Sequence, residues 1–342
     1  MAPCSNGIPN RYVLSVLVFW GFFTMYALRT NLNVAIGAMV KKHTVVVDGV
    51  ETEKEAEFKW SSKLQGVVLG SFYYGYVALQ IPGGWLALKL GGTRLFGSAV
   101  LTASVLTLLT PLASRASVVL LIVVRVCEGL VLGVLFPCNH AIWSKWAPSM
   151  ERTTLATIAV TGCTVGSIVT MPISGLLTRY DLDGGWPAVF YAFGKRKSLF
   201  GVVHKKTDVL IENKMGFAAA APFVFKSLTC PLAGVTADLH RRNILSTKTV
   251  RRVFYTTGAV TGGLFILIAG YFKNPDAVIG CMCVSGTALG LVYAGFQVNM
   301  LDIAPRNASI VMGIVNAASN TAGFLSPMLV GFITHHKVRS TK

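Results

Sequence analysis

The sequence predicts an all-α polytopic membrane protein, and three observations carry that reading. Apolar residues make up 53% of the 342-residue chain and charged residues 13%, about half the charged share of an ordinary soluble domain; mean hydropathy is +0.60. The apolar residues gather in nine stretches, 12–40, 64–86, 95–113, 116–138, 153–177, 215–237, 253–272, 277–299 and 309–334, each near the roughly 20 residues a helix needs to cross a bilayer core. The basic residues behind the net charge of +17 lie in short runs between these stretches. The positive-inside rule produces that distribution in cytoplasmic connectors. It implies a lipid bilayer as the chain's surroundings and argues against a nucleic-acid partner.

The first stretch is too long for a signal-peptide core and lacks an A-x-A cleavage pattern, so it reads as a retained span. It carries Arg29 within YALRTNLNV, about 18 Å by helical rise from Lys41 at its end. That is far for an arginine to snorkel to the interface. Arg29 therefore reads as cavity-facing, where a planar guanidinium suits a carboxylate or phosphate. Lys41 to Trp60 forms a polar loop, non-cytoplasmic if the N-terminus is cytoplasmic. The second stretch holds Gly66, Gly70 and Gly75 with Ser71, Tyr73, Tyr74 and Tyr76. These hydroxyls suit either a polar path, with Tyr74 as the candidate solute contact, or single hydrogen bonds inside a bundle.

Lys89 and Arg94 lead into the third stretch. The fourth, ASVVLLIVVRVCEGLVLGVLFPC, places Arg125 and Glu128 one turn apart near its centre. An Arg or Asp at a bilayer centre costs about 2.5–3.5 kcal/mol, and a Glu should cost similarly, which excludes lipid-facing positions. Two readings stand. The pair neutralises itself and fixes packing, or anion binding and protonation compete for it, proton uptake by Glu128 releasing Arg125 to a solute. Gly129 and Gly133 form a G-x-x-x-G face suited to close helix packing. His140 reads as a hydrogen-bonded structural group or a pH-sensitive one, and Trp143 and Trp146 as interfacial anchors.

Lys145 and Arg152 precede the fifth stretch. A further apolar run, Trp186–Gly194, stops after nine residues at Lys195-Arg196-Lys197. The chain thus divides into an N-terminal helical half at 1–194 (five spans plus a partial sixth), a polar basic linker at 195–214 and a C-terminal half at 215–342 (four spans). Counting spans from a cytoplasmic N-terminus places the linker on the opposite face, against its basic charge. Arg241, Arg242, Lys248, Arg251 and Arg252 follow the next stretch. In the last, Asn316 and Asn320 lie one turn apart, as interhelical glue or pathway groups. The seven cysteines show no zinc or disulfide spacing. No P-loop, nucleophile elbow or H-E-x-x-H pattern points to an enzyme, a catalytic residue, a metal or a cofactor.

Gly84-x-x-x-Leu88-Lys89-x-Gly91-x-x-Arg94 follows the second stretch, and Gly234-x-x-x-Asp238-x-x-Arg241-Arg242 follows the sixth. Both resemble the loop signature of the major facilitator superfamily, whose halves are related by repetition; Leu88 stands where the signature has an acid. RYVLSVLVFWGFFTMYALRTNLNVAIGAMV, GSFYYGYVALQIPGGWLA, RVCEGLVLGVLFPCNHAIWSKWAPSMER and LDIAP followed by GIVNAAS resemble its organic-anion branch, the sialin, vesicular glutamate transporter and sodium–phosphate cotransporter family.

The resemblance implies a secondary transporter of a small anion, such as sialic acid, glutamate or inorganic phosphate, working by alternating access. Arg29, Arg125, Asn316 and Tyr74 would bind the substrate, and Glu128 would couple its movement to H+ or Na+, with no other cofactor. It also implies a lysosomal, secretory or synaptic vesicle, or plasma membrane, and a cytoplasmic, unused sequon at Asn307-Ala308-Ser309. Sialin-like and glutamate-transporter-like members carry a second carboxylate seven residues after the arginine, where this chain has Leu132. Relatives have twelve spans against about nine here, so the fold is expected to be incomplete, without most of the sixth, the seventh and the twelfth. The competing reading is a non-transporting truncated member that acts through a full-length homologue.

Overall fold

A backbone in hydrocarbon must satisfy its own hydrogen bonds, which helices do within one segment. Helices accordingly fill the computed structural model, which describes residues 9–40, 42–47, 50–179, 185–194, 214–243, 245–272 and 274–321. In chain order they are α1 (Asn10–Val40), α2 (Ser62–Ala78), α3 (Gln80–Leu90), α4 (Gly92–Ala116), α5 (Val118–Gly133), α6 (Leu135–Trp146), α7 (Arg152–Arg179), α8 (Trp186–Gly194), α9 (Lys214–Asn243), α10 (Thr247–Ala269), α11 (Pro275–Phe296) and α12 (Asn299–Ile303). A thirteenth, α13, covers 308–321.

Six helical stretches among the described residues are long and apolar enough to cross a membrane: Asn10–Val40, Gly92–Ala116, Val118–Trp146, Arg152–Thr178, Thr247–Ala269 and Pro275–Ile303. Three of the nine expected spans are not among them. The second folds as α2 and α3, broken at Leu79, neither piece reaching 18 residues. The sixth is the 30-residue α9, which carries Pro222 and Pro231 within a continuous helix. The ninth is described only to residue 321; its remainder, like residues 195–213 of the linker, lies outside the described residues.

The starts and stops follow local chemistry. Ser61, Ser117 and Ser246 each accept a backbone N–H at the start of α2, α5 and α10, as N-cap serines do. Asn274 accepts from Asp276 N–H, with Pro275 opening α11. Gly91, at φ +90°, turns the chain between α3 and α4, a conformation other residues rarely adopt.

The loop expected at Lys41–Trp60 contains an antiparallel hairpin. Strand β1 (His43–Val47) pairs with β2 (Val50–Lys54), His43 opposite Lys54 and Val47 opposite Val50. Lys42 bridges to Glu53 at 2.7 Å and Glu55 at 3.1 Å, and these carboxylates, Glu53 first, hold its ammonium pKa above the usual value.

The chain groups into two compact units, each drawing on both sequence halves. The first combines Met1–Lys59 with Ile142–Arg306, and the second combines Trp60–Ala141 with Asn307–Lys342. In the first, α1 packs along α7, α7 along α9, and α11 against α9 and α10. In the second, α5 lies between α2 and α4. The α2–α5 contact runs backbone to backbone. A Cβ at Gly129 would meet the Phe72 carbonyl and lie 2.9 Å from Tyr76 N, and one at Gly75 would meet the Val126 carbonyl.

Candidate functional site

The close α2–α5 approach in the second unit seals a charged cluster. Arg125 and Glu128 are 2% and 0% exposed, and Arg125 Nη1 donates to Glu128 Oε2 at 2.6 Å. The Thr107 hydroxyl, from α4, donates to the other carboxylate oxygen, Oε1. The Arg125 guanidinium lies 5.4 Å from the Phe72 ring centroid, a cation–π contact, while its Nε is buried without a hydrogen bond. The pair is thus a closed ion pair inside a helix bundle. Leu132, one turn beyond Glu128, is fully buried.

In the same unit, Asn316 Nδ2 donates to the Tyr76 hydroxyl at 3.4 Å, and Asn320 Nδ2 donates to the Asn316 carbonyl at 2.7 Å. Tyr76 is buried, whereas Tyr74 is 62% exposed, on the opposite face of α2 from Phe72 and Tyr76. The tyrosine that meets Asn316 is Tyr76, and Tyr74, the candidate solute contact, lies on the exposed face. His140 Nδ1–H donates to the Phe136 carbonyl at 3.1 Å in a buried setting. Trp143 is fully buried, so it packs inside the protein and is not the interfacial anchor its residue type suggests.

The first unit holds two further groupings. One is a polar latch at the start of α7. Asp238 Oδ2 accepts from Thr154 N–H at 2.8 Å and from its hydroxyl at 2.9 Å, satisfying an otherwise orphaned donor at the positive end of the helix dipole. Asp302 accepts from Arg251 at 3.0 Å and Arg152 at 3.3 Å, and Arg251 also donates to the Thr153 hydroxyl at 2.9 Å and the Ala294 carbonyl at 3.0 Å. Gly234 explains the spacing of the loop signature, because a Cβ there would strike the Thr157 hydroxyl and lie 3.2 Å from the Thr153 carbonyl.

The other grouping is a cleft of about 50 Å³ between α1, α7, α9 and α11. Tyr26, Thr161, Thr164, Ser167, Lys226 and Tyr293 supply its polar lining, with no carboxylate among the lining residues. Lys226 Nζ lies 4.6 Å from the Tyr293 ring centroid. Arg29 sits one turn from Tyr26, its guanidinium 5.4 Å from that ring.

Of the expected residues, Arg125 and Glu128 meet directly, Asn316 joins a separate polar contact in the same unit, and Arg29 belongs to the first unit beside a cleft-lining tyrosine. Sequence reasoning passed over Thr107, Phe72, Lys226 and Asp302. Lys226 carried a signal of its own, a lone cation within the apolar run AAAAPFVFKSLTCPLAG.

Long apolar helices enclosing buried charges define a multi-pass integral membrane protein. The superfamily model described as Major Facilitator Superfamily matches residues 18–194 and 210–340. The chain is 32% identical to vesicular glutamate transporter 3 of Danio rerio over 415 residues, 97% of this chain and 69% of that one. It is 32% identical to vesicular glutamate transporter 2 of Homo sapiens over 411 residues, 97% of this chain and 70% of that one. A crystal structure of a double-tryptophan XylE mutant superposes with a TM-score of 0.64 at 11% identity, covering 93% of this chain and 88% of that one. The chain belongs to the major facilitator superfamily, in the organic-anion branch that holds the vesicular glutamate transporters. An aligned stretch of 415 positions exceeds the 342 residues of the whole chain, so that relative has at least 73 positions inside the match without a counterpart here. The superfamily match is itself interrupted at 195–209.

Proposed function

We propose that this chain is a secondary transporter of small anions, organic ones such as glutamate or sialic acid or inorganic phosphate, working by alternating access. The observation that supports this most is the buried Arg125–Glu128 pair, in a chain one-third identical to vesicular glutamate transporters. An arginine cannot discharge in a protein, so its partner must. Protonation of Glu128 would free the Arg125 fork for an anion, and loss of the proton would return Arg125 to Glu128 and release the anion. Arg29 adds a second fixed cation, and Asn316 and Tyr74 are the hydrogen-bonding candidates. With Leu132 in place of a second carboxylate, Glu128 alone carries coupling to H+ or Na+. The membrane potential adds about 2.3 kcal/mol per charge per 100 mV.

Uptake of labelled glutamate and phosphate into proteoliposomes, under an imposed proton or sodium gradient and potential, tests the reading. Uptake by the wild type that disappears in Arg125→Ala supports it; uptake that survives the substitution removes Arg125 from the mechanism. The shortfall of at least 73 positions inside the match favours a second reading, a non-transporting member that acts by association with a full-length homologue. Well-folded protein without uptake, together with co-purification of such a homologue, selects that alternative.

A further inference from the structure

Lys226 occupies the middle of the 30-residue α9, about 18 Å by rise from its start and about 25 Å from its end. Neither end is easily reached by a lysine side chain, so its charge must be met inside the unit. Among the described residues it has no hydrogen bond or ion pair, and its ammonium lies 4.6 Å from the Tyr293 ring centroid. It lines the cleft together with Thr164, whose hydroxyl also lacks a hydrogen-bond partner among the described residues. Tyr26 also lines the cleft, with the Arg29 guanidinium 5.4 Å from its ring. Among the described residues no carboxylate lines the space, so Lys226 brings a positive charge to it without a counter-charge from that lining. Its volume of about 50 Å³ has room for a few water-sized atoms, the dimensions of an anionic head group.

We propose that this cleft is a binding subsite for the carboxylate of a small organic anion, with Lys226 as its charge and Thr164 as a hydrogen-bond donor. The assignment rests on the reading of the chain as an anion carrier, and makes Lys226 a determinant of which anion is taken. A lysine ammonium is a compact point charge with three donors. Thr161 and Ser167 give their hydroxyl protons to the Thr157 and Cys163 carbonyls, so few donors remain beside Lys226, which suits a two-oxygen carboxylate better than a phosphate with more oxygens to satisfy.

The test compares purified full-length wild type with Lys226→Arg, Lys226→Gln and Lys226→Met. Binding of labelled glutamate and of inorganic phosphate is measured in detergent, with uptake into proteoliposomes in parallel. Removing one charge-assisted contact should weaken glutamate binding about tenfold or more in Lys226→Gln and Lys226→Met. Lys226→Arg should stay within about threefold of wild type because the charge remains. Removing a half-buried charge that has no ion-pair partner should leave folding intact, which size-exclusion and thermal unfolding check, and the two neutral variants back each other up. Unchanged glutamate affinity in a folded neutral variant overturns the subsite while leaving anion transport standing. Lys226-dependent binding without uptake keeps the subsite and removes the transport reading. Folded wild type that binds no glutamate, or Lys226-dependent binding of phosphate alone, overturns the carboxylate assignment.

Discussion

Glu128 divides its two oxygens between partners on different helices, Oε2 taking Arg125 at 2.6 Å and Oε1 taking the Thr107 hydroxyl. Breaking a buried pair by removing one member strands the other charge, at a cost of about 3–5 kcal/mol, whereas replacing both with apolar groups is often neutral or stabilising. Arg125→Met alone should therefore unfold well below the wild type in a thermal melt, and Arg125→Met with Glu128→Met should recover most of the loss. Uptake separates packing from function, because a role in transport requires the refolded double variant to carry nothing. A double variant that transports at the wild-type rate would reduce the pair to packing. The pair was legible in the sequence because opposite charges at i, i+3 in an apolar run are too costly to face lipid. Thr107 and Phe72 were not, since they arrive from other helices and carry no signal of their own. Tyr74 and Tyr76 differ only in which face of α2 they occupy, and that face is set by the α5 contact rather than by residue type.

Glycines set how closely elements approach, and two of them make opposite predictions. Gly129→Ala would press a Cβ onto α2 backbone at Phe72 and Tyr76; backbone cannot rotate aside, so the helices must part, at about 1–3 kcal/mol. Gly70, on the facing element, has nothing within 4 Å of its would-be Cβ, and Gly70→Ala should gain up to about 1 kcal/mol of helix propensity. Thermal melts in detergent should show the first variant falling and the second holding or rising; equal shifts would mean that α2 and α5 do not meet as described. The two loop signatures offer a second comparison. Asp238 caps Thr154 N–H beside Gly234 in the first unit. In the second, Gly84 lies against Ser309 and Ile310 in the same manner, but Leu88 replaces the acid, and Ile310 N–H bonds the Asn307 carbonyl at 3.0 Å instead. Asp238→Ala should cost about 0.5–2 kcal/mol, and Leu88→Asp should gain about 0.3–1 kcal/mol at the start of α13. A lower melting temperature for Leu88→Asp would break the equivalence. The helices themselves were legible from hydropathy, and the breaks at Leu79 and Val134 had a signal that was passed over, since Pro82 and Pro137 have no N–H for the carbonyls of Ala78 and Gly133, where α2 and α5 end. The hairpin had its own signature, Val45-Val46-Val47 before Asp48-Gly49, a turn pattern that the surrounding charge obscured.

At the scale of the molecule, the open question from the sequence was a contradiction, since span counting placed the basic linker on one face and the charge rule on the other. The first unit supplies an argument for the count. Its α7 and α9 run antiparallel. Asp238 near the end of α9 meets Thr154 at the start of α7, Cys230 faces the Thr157 carbonyl at 3.8 Å, and residues 223 and 226 share the cleft with residues 160–167. The Arg152, Asp238, Arg251 and Asp302 latch gathers the basic connectors at one end, the cytoplasmic one by the positive-inside rule. The start of α9 at Lys214 then lies at the opposite end, where α7 finishes. Between them, α8 has only nine residues, about 13 Å of rise, too short for a bilayer core of roughly 30 Å. Its first residue stays beside the hairpin segment, Trp186 Nε1 donating to Glu57 at 2.7 Å. The start of α8 and the start of α9 therefore lie at the same end of the first unit, that of the hairpin. It also follows that the positions relatives carry inside the match hold an even number of crossings, because an odd number would reverse α9 against α7. A glycosylation sequon inserted at residue 205 should be modified in microsomes, and one placed at the N-terminus should not. Modification at the N-terminus alone would invert the orientation, and modification at neither site would put both on the cytoplasmic face and overturn the packing of α9 described for the first unit.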